Sequence, residues 1–276
     1  IRHEHTDFIR PPRQFSEEEE VWLDANRYLL QATLLGVDYY ATSLVYSYGE
    51  TEDIPAGVWV APIAGYESSE IRDRYYQGIR FVWSQFTEHQ RFRLFRAAYG
   101  GWRNEGQFQD GVLDFALGGF SALREYDYGY WRHFYLLTYT LGINRTFPGG
   151  LRLDQAALRD LDAADIAGDQ RLAAEFESVL FTRYSLLGFK AATFTYLAAG
   201  FVGGENEAIL DQRFSTNFGV GLRLNNPRMA IPTTELRFGL LSSAEGFEFS
   251  FYIRMKDVNP FRRELPSIVP SVLLYE

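Results

Sequence analysis

Phe247-Glu248-Phe249-Ser250-Phe251-Tyr252-Ile253-Arg254-Met255 alternates apolar and polar side chains almost without error. Phe247, Phe249, Phe251, Ile253 and Met255 fall on one face; Glu248, Ser250, Tyr252 and Arg254 fall on the other. A repeat of two residues is a β-strand with one greasy and one wet side. The preceding segments do the same. Phe214, Thr216, Phe218, Val220, Leu222 and Leu224 oppose Ser215, Asn217, Gly219, Gly221, Arg223 and Asn225, and Thr234, Leu236, Phe238 and Leu240 oppose Glu235, Arg237 and Gly239. Strands of this kind in succession suggest a closed barrel, and the question is whether its apolar face meets a core or lipid.

A chain of 276 residues is long enough for one large β domain or two ordinary ones. Aromatics make up 17% of it, as 23 Phe, 18 Tyr and 5 Trp. That load is far above what a typical soluble domain carries and suits lipid-facing strands bordered by interfacial rings. Mean hydropathy is nevertheless slightly negative, at −0.22. A lipid-facing barrel reconciles the two facts, because half of each strand is polar and faces the lumen. No stretch approaches the ~20 uninterrupted apolar residues of a membrane-spanning helix, which excludes a helical membrane protein. With no starting Met, basic n-region or apolar h-region, the chain is expected to be a processed product or a stretch of a longer one. Absence of cysteine removes disulfides, thiolate metal sites and cysteine nucleophiles, and it is compatible with an oxidising envelope. The net charge of −9 argues against a nucleic-acid partner, since neutralising phosphates takes concentrated Lys and Arg. The arginines are scattered instead, as they are where they line a lumen or meet lipid head groups.

Residues 1–27 read as an extended lead-in, with Pro11-Pro12 and the acidic run Glu17 to Glu20. Candidate strands follow at about Tyr28 to Gly36, Tyr39 to Tyr48, Val58 to Tyr66, Tyr75 to Phe86, Phe92 to Trp102, Gly111 to Phe120 and Trp131 to Ile143. In the last of these the odd positions from Trp131 to Ile143 form a face bracketed by aromatics, as an interfacial girdle would. The period lapses over 144–168, a long loop containing Pro148-Gly149-Gly150 and room for a short helix at Gln155 to Ile166. Five more strands are expected at about Gln170 to Phe181, Leu186 to Phe201, Phe214 to Asn225, Thr233 to Leu241 and Phe247 to Met255. The tail 256–276, with Pro260, Pro266 and Pro270, is no central strand and is expected to pack at the periplasmic end. The reading is therefore all-β: a transmembrane antiparallel up-and-down barrel over 28–276, about twelve strands visible, each long enough for the roughly nine to eleven residues that cross a bilayer at a tilt.

A long loop carrying an Arg, followed by five strands, resembles the BamA and TamA superfamily of outer-membrane barrels. In that superfamily the loop folds into the lumen and carries a V/I-R-G-F/Y motif whose Arg pairs with acidic residues on the inner wall. The matching tetrapeptide here is Leu158-Arg159-Asp160-Leu161, and Glu177 stands at the expected acidic position. The segment Phe194 to Gly203 resembles the aromatic-rich strand ending in Asp-x-Gly, with Ala198 at the Asp position, and Gly219 to Asn225 followed by Ile231-Pro232-Thr233 resembles the penultimate hairpin. Tyr48 to Pro55 is similar to a turn of Bacteroidetes members. Two departures stand out: Asp160 replaces the motif glycine, which would let a loop turn tightly, and Ala198 removes one acidic partner. The family barrel has sixteen strands, so a missing N-terminal portion or a smaller even-numbered barrel is implied. No periplasmic POTRA domain is visible.

The resemblance implies a structural lock between Arg159 and Glu177, bracing the loop against the wall, because a buried Arg needs a carboxylate to offset its desolvation. The alternative is an exposed loop Arg and an unrelated lumen-facing Glu. No catalytic residue is identified: there is no G-x-S-x-G, Walker loop or H-E-x-x-H, and His133 is the lone histidine in the strand region. His3-Glu4-His5 lacks a third ligand, and Asp162, Asp165 and Asp169 read as a solvated loop face, so no metal or cofactor is expected. The implied function is not enzymatic. It is insertion or transport of protein or lipid across the outer membrane of a Gram-negative bacterium, through a weak seam between first and last strands. The partners are outer-membrane lipid and lipopolysaccharide, with protein clients or accessory envelope proteins. The alternatives are a non-insertase barrel serving as a structural or accessory subunit or passive pore, and a soluble β-barrel or sandwich holding an apolar ligand.

Overall fold

Alternating side chains commit a strand to presenting its two faces to different surroundings, and ladders between such strands propagate the choice across a sheet. The computed structural model carries this through. It describes residues 2–6, 25–45, 48, 51–69, 72–146, 150–153, 167–186, 188–204, 206–226, 233–244, 246–255 and 271–273. The strands are β1 (Arg2–Thr6), β2 (Ala25–Gln31), β3 (Leu34–Thr42), β4 (Glu52–Ser69), β5 (Asp73–Phe86), β6 (Phe92–Asn104), β7 (Gln107–Phe120), β8 (Arg124–Tyr126), β9 (Gly129–Ile143), β10 (Leu151–Arg152), β11 (Ala167–Gly168), β12 (Gln170–Leu186), β13 (Phe189–Gly203), β14 (Arg213–Asn225), β15 (Thr234–Ser243) and β16 (Gly246–Met255). Fourteen of them form one sheet; β10 and β11 pair with each other. Every ladder is antiparallel, and from β4 onward the long strands pair in chain order, up and down. The lead-in contributes β1 and the start of β2, which pair with each other.

The first part of the sheet departs from the sequence reading. Tyr28 to Gly36 and Tyr39 to Tyr48 were expected as two separate strands. Instead β2 and β3 lie along the same edge of β4 in one register, Gln31 opposite Ile63 and Leu34 opposite Val60. They are one strand position, broken only at Ala32 and Thr33, where the Ala32 amide donates to the Pro62 carbonyl. Pro62 has no amide to give in return, which is why the ladder lapses there. Strand β3 also ends at Thr42, not Tyr48, because from Ser43 the chain turns inward with Leu44 at φ 58°.

The two faces of the sheet are opposite in character. On one side lie Glu67, Arg74, Arg132, Ser215, Asn217, Arg223 and Glu235, all buried. On the other, Tyr75, Ile79, Tyr135, Leu137, Leu197, Phe218, Val220 and Phe238 are exposed, and Phe249 of β16 reaches 89%. The buried side is concave: one apolar cluster joins Ile54 and Trp59 of β4 to Val82, Phe92, Phe120 and Phe134 in succession and then to Phe181 and Phe194 of β12 and β13. Strands that distant along the sheet share contacts only when it curls over that face.

Three further segments fill the concavity. Val45 and Tyr48 pack into the apolar cluster, with the Tyr48 ring 5.7 Å from Phe181. Leu151 and Leu153, from the base of the long loop, are fully buried, and Leu153 lies over the inward-facing Gly200. Val272 packs against Leu29, Ile63, Tyr76 and Trp102. The tail therefore does not stay at the end of the sheet where β16 stops; at 271–273 it lies along the inner wall beside β5. At the far edge, β16 pairs with β15, and among the described residues no ladder joins it to β1, β2 or β3.

Candidate functional site

The densest chemistry lies on the inner face of β12 to β15. Odd positions of β14 and β15 point inward, so Arg223, Glu235 and Arg237 share that face, and register sets Arg223 directly opposite Glu235. Phe194 of β13, Gly221 of β14 and Arg237 of β15 fall in one row across three strands, with Glu177 opposite Tyr196 one row away. A Cβ on Gly221 would lie 2.1 Å from the Phe194 ring, so the absent side chain lets that ring lie flat across β14. Both arginines then reach back over β13 to Glu177.

The result is a closed ring of charges. Arg223 donates to Glu235 at 2.6 Å and to Glu177 at 2.7 Å; Arg237 donates to Glu235 at 2.8 Å and to Glu177 at 2.5 Å. Each arginine meets both carboxylates and each carboxylate both arginines, so the four groups sum to zero charge. The Arg223 guanidinium lies 4.2 Å from the Phe194 ring centre and that of Arg237 4.8 Å from Tyr196, adding cation–π attraction. The Tyr196 hydroxyl donates to Asn217, and the Asn217 amide to Ser250 of β16. Glu235 is 1% exposed. A carboxylate this deep is tolerable only with its partners fixed around it.

A second network spans β2 to β7. Arg27 and Arg74 both donate to Glu67, Arg74 through Nε at 2.5 Å, and Arg74 also reaches Asp110 at 3.0 Å. Both guanidiniums lie over the Trp102 ring of β6, Arg27 at 5.4 Å and Arg74 at 4.2 Å from its centre. Asp110 sits at φ 48° beside a register shift in the β6–β7 ladder, and its carboxylate also accepts from the amide and hydroxyl of Thr146. A third pair, Arg96 with Asp114 at 2.7 Å, joins β6 to β7, and Thr140 of β9 donates to the same Asp114.

The loop after β3 is fastened from within. Arg132 of β9, fully buried over the Phe120 ring, donates to the carbonyls of Ser43 and Leu44, and Lys190 of β13 donates to that of Tyr48. Glu52 accepts from the Val45 amide. Burial raises the Tyr48 phenol above its ordinary range, so it stays neutral.

Of the residues singled out by sequence, Glu177 lies on the inner wall, where among the described residues it accepts from Arg223 and Arg237. Leu158, Arg159, Asp160 and Leu161 lie outside the described residues, as do Asp162, Asp165 and the span proposed for a short helix. Ala198 faces inward and is buried. His3 stacks on Tyr28 at 4.6 Å. Among the described residues no three His, Cys, Asp or Glu side chains are grouped to hold a metal, and no helix is long and apolar enough to cross a membrane. Sequence reading placed Arg223, Glu235 and Arg237 on the polar face but did not pair them. Counting residues back from the β14–β15 connection would have set Arg223 opposite Glu235. Glu67, Arg74, Trp102 and Asp110 carried no such signal, since the Asp110 register shift is invisible in the pattern.

The fold and site define an all-β protein with an antiparallel up-and-down sheet, a charged concave face and an apolar convex one. No protein-family model, curated protein or solved structure matches this chain.

Proposed function

We propose that the chain is a β-barrel of the outer membrane of a Gram-negative bacterium, and that it aids insertion or transport of protein or lipid across that membrane. The observation that carries this reading is the inverted polarity of the sheet. Charged and amide side chains are buried on the concave face while Phe, Tyr, Leu and Val are exposed on the convex one. In water the convex face is a continuous apolar patch far beyond what a monomer tolerates. In lipid, each such side chain gains about 1.5–3 kcal/mol relative to water. Stacked and tilted aromatic pairs such as Tyr66–Tyr75 and Tyr126–Tyr128 near strand ends suit the interfacial girdles of such barrels.

The insertase part of the reading rests on the β16 edge and on the resemblance to BamA and TamA. Unpaired strand edges are costly in hydrocarbon, so an edge to which no ladder is made among the described residues favours pairing with an incoming strand. The second reading, a structural or accessory subunit, draws on the filled concavity.

Two measurements test the proposal. Extraction only with detergent and heat-modifiable migration on a gel are expected; recovery in the soluble fraction overturns the membrane assignment. Vesicles containing the protein are expected to fold a small unfolded barrel protein faster than empty ones. Equal rates would leave the accessory role in its place.

A further inference from the structure

Residues 271–273 make an unusually complete set of contacts for so short a segment. Arg80 of β5 donates through Nη2 to the Ser271 carbonyl at 2.9 Å, the Ser271 hydroxyl at 3.0 Å and the Val272 carbonyl at 3.1 Å. The Leu273 amide donates to the Tyr76 hydroxyl at 2.9 Å. Between these anchors the Val272 side chain enters an apolar pocket of Leu29, Ile63, Tyr76 and Trp102. Three consecutive residues are thus read by one cation, one hydroxyl and one pocket.

The wall is shaped for this. The next inward position along β5 and its partner on β6 are glycines, Gly78 and Gly100, and a Cβ on Gly100 would stand 2.4 Å from the Tyr76 hydroxyl, with one on Gly78 3.0 Å from its ring. Missing side chains let the phenol lie along the sheet and place its oxygen beneath the passing amide. Tyr76 is held by Trp102 in an edge-on contact at 5.0 Å, so its position is set by the wall and not by the segment. Most of what is recognised is main chain: two carbonyls and one amide. Only the Ser271 hydroxyl and the Val272 side chain identify the sequence. Such a mode, main-chain bonds for affinity and one pocket for selectivity, is how extended peptides are bound.

We propose that the inner wall of β2 and β4 to β6 around Arg80 and Tyr76 is a binding site for an extended polypeptide segment, occupied in cis by Ser271–Val272–Leu273. The occupant in trans is a partner polypeptide carrying a β-branched aliphatic residue after a small hydroxyl residue. The cis segment is then a self-inhibitor that such a partner displaces. This rests on the inner wall alone and stands or falls separately from the lipid reading of the outer face.

The chain has no cysteine, so Ser271→Cys supplies a single reporter. In the full chain in detergent, maleimide is expected to label it at least about tenfold more slowly than a Ser185→Cys control on an exposed strand end, since the main-chain bonds of 271–273 to Arg80 and Tyr76 survive the substitution and are charge-assisted at Arg80. Adding Arg80→Ala, or Gly100→Ala to push the Tyr76 hydroxyl aside, is expected to raise the rate about tenfold, with circular dichroism and tryptophan emission retained. A synthetic peptide Pro-Ser-Val-Leu-Leu in excess is expected to raise it saturably, and the same peptide with Asp for Val is not. Fast labelling in the parent overturns cis occupancy. A rate that responds to Arg80→Ala but not to the peptide overturns the receptor and leaves a fixed packing contact.

Discussion

The two large charge networks on the inner face are built from the same residue types and hold strands together in different ways. The Glu177–Arg223–Glu235–Arg237 ring lies wholly on strands, closes on itself and carries no net charge. The network of Arg27, Glu67, Arg74 and Asp110 includes a residue beside a register shift, Asp110, and through it runs out into the loop residue Thr146. Where side chains alternate without fault, facing rows alone bring opposite charges together; where the pattern breaks, the break itself becomes the anchor for a loop.

The largest loss is expected at Glu235. Glu235→Ala leaves Arg223 and Arg237 sharing Glu177 in a buried site, and removing one partner of a buried pair costs about 3–5 kcal/mol. Glu67→Ala deprives Arg27 and Arg74 of their shared carboxylate, but Arg74 keeps Asp110, and Arg27 is partly exposed. Its expected cost is smaller, about 1.5–3 kcal/mol. Denaturant midpoints in micelles, followed by tryptophan emission, check both. Equal losses would mean that closure of the ring adds nothing.

Gly221→Ala sharpens the point without removing a charge. Its new methyl would meet the Phe194 ring, on which the Arg223 guanidinium rests. Overpacking of this kind costs about 1–3 kcal/mol. If the ring of charges depends on the flat aromatic platform, a double variant with Glu235→Ala will lose less than the sum of the two, because residues in one network do not add. Additive losses would separate platform from charges.

The same contrast explains what could be read in advance. The expected strands at Phe214 to Asn225 and Phe247 to Met255 match β14 and β16 to within a residue, because each alternates over its whole length. The start of β4 was missed by six residues: Glu52 to Gly57 contains Pro55 and Gly57, which read as breakers, yet the segment is held between β3 and, from Gly57, β5. The inward turn after Thr42 was unreadable for another reason. Its carbonyls are collected by Arg132, about ninety residues on, and no local pattern reports a partner that remote. Site residues followed suit. Face is legible for Arg223, Glu235 and Arg237, and a count from the β14–β15 connection pairs Arg223 with Glu235; the reach to Glu177 is not legible, because it crosses β13 over the Phe194 ring.

The smallest effect calibrates the rest. Arg183 of β12 and Glu125 of β8, two strands that both pair with the start of β9, form an ion pair with side chains 41% and 68% exposed. Their chemistry is that of the ring, but water surrounds both groups and screens them, and holding two long side chains together costs entropy. Exposed pairs contribute about 0–1 kcal/mol, so Arg183→Ala is expected to leave the denaturant midpoint within error of the parent. A loss comparable to that of Glu235→Ala would mean that burial is not what distinguishes the ring. With Arg183→Ala silent and Glu235→Ala severe, the cost at Glu235 belongs to desolvated charge and not to the ion pair as such.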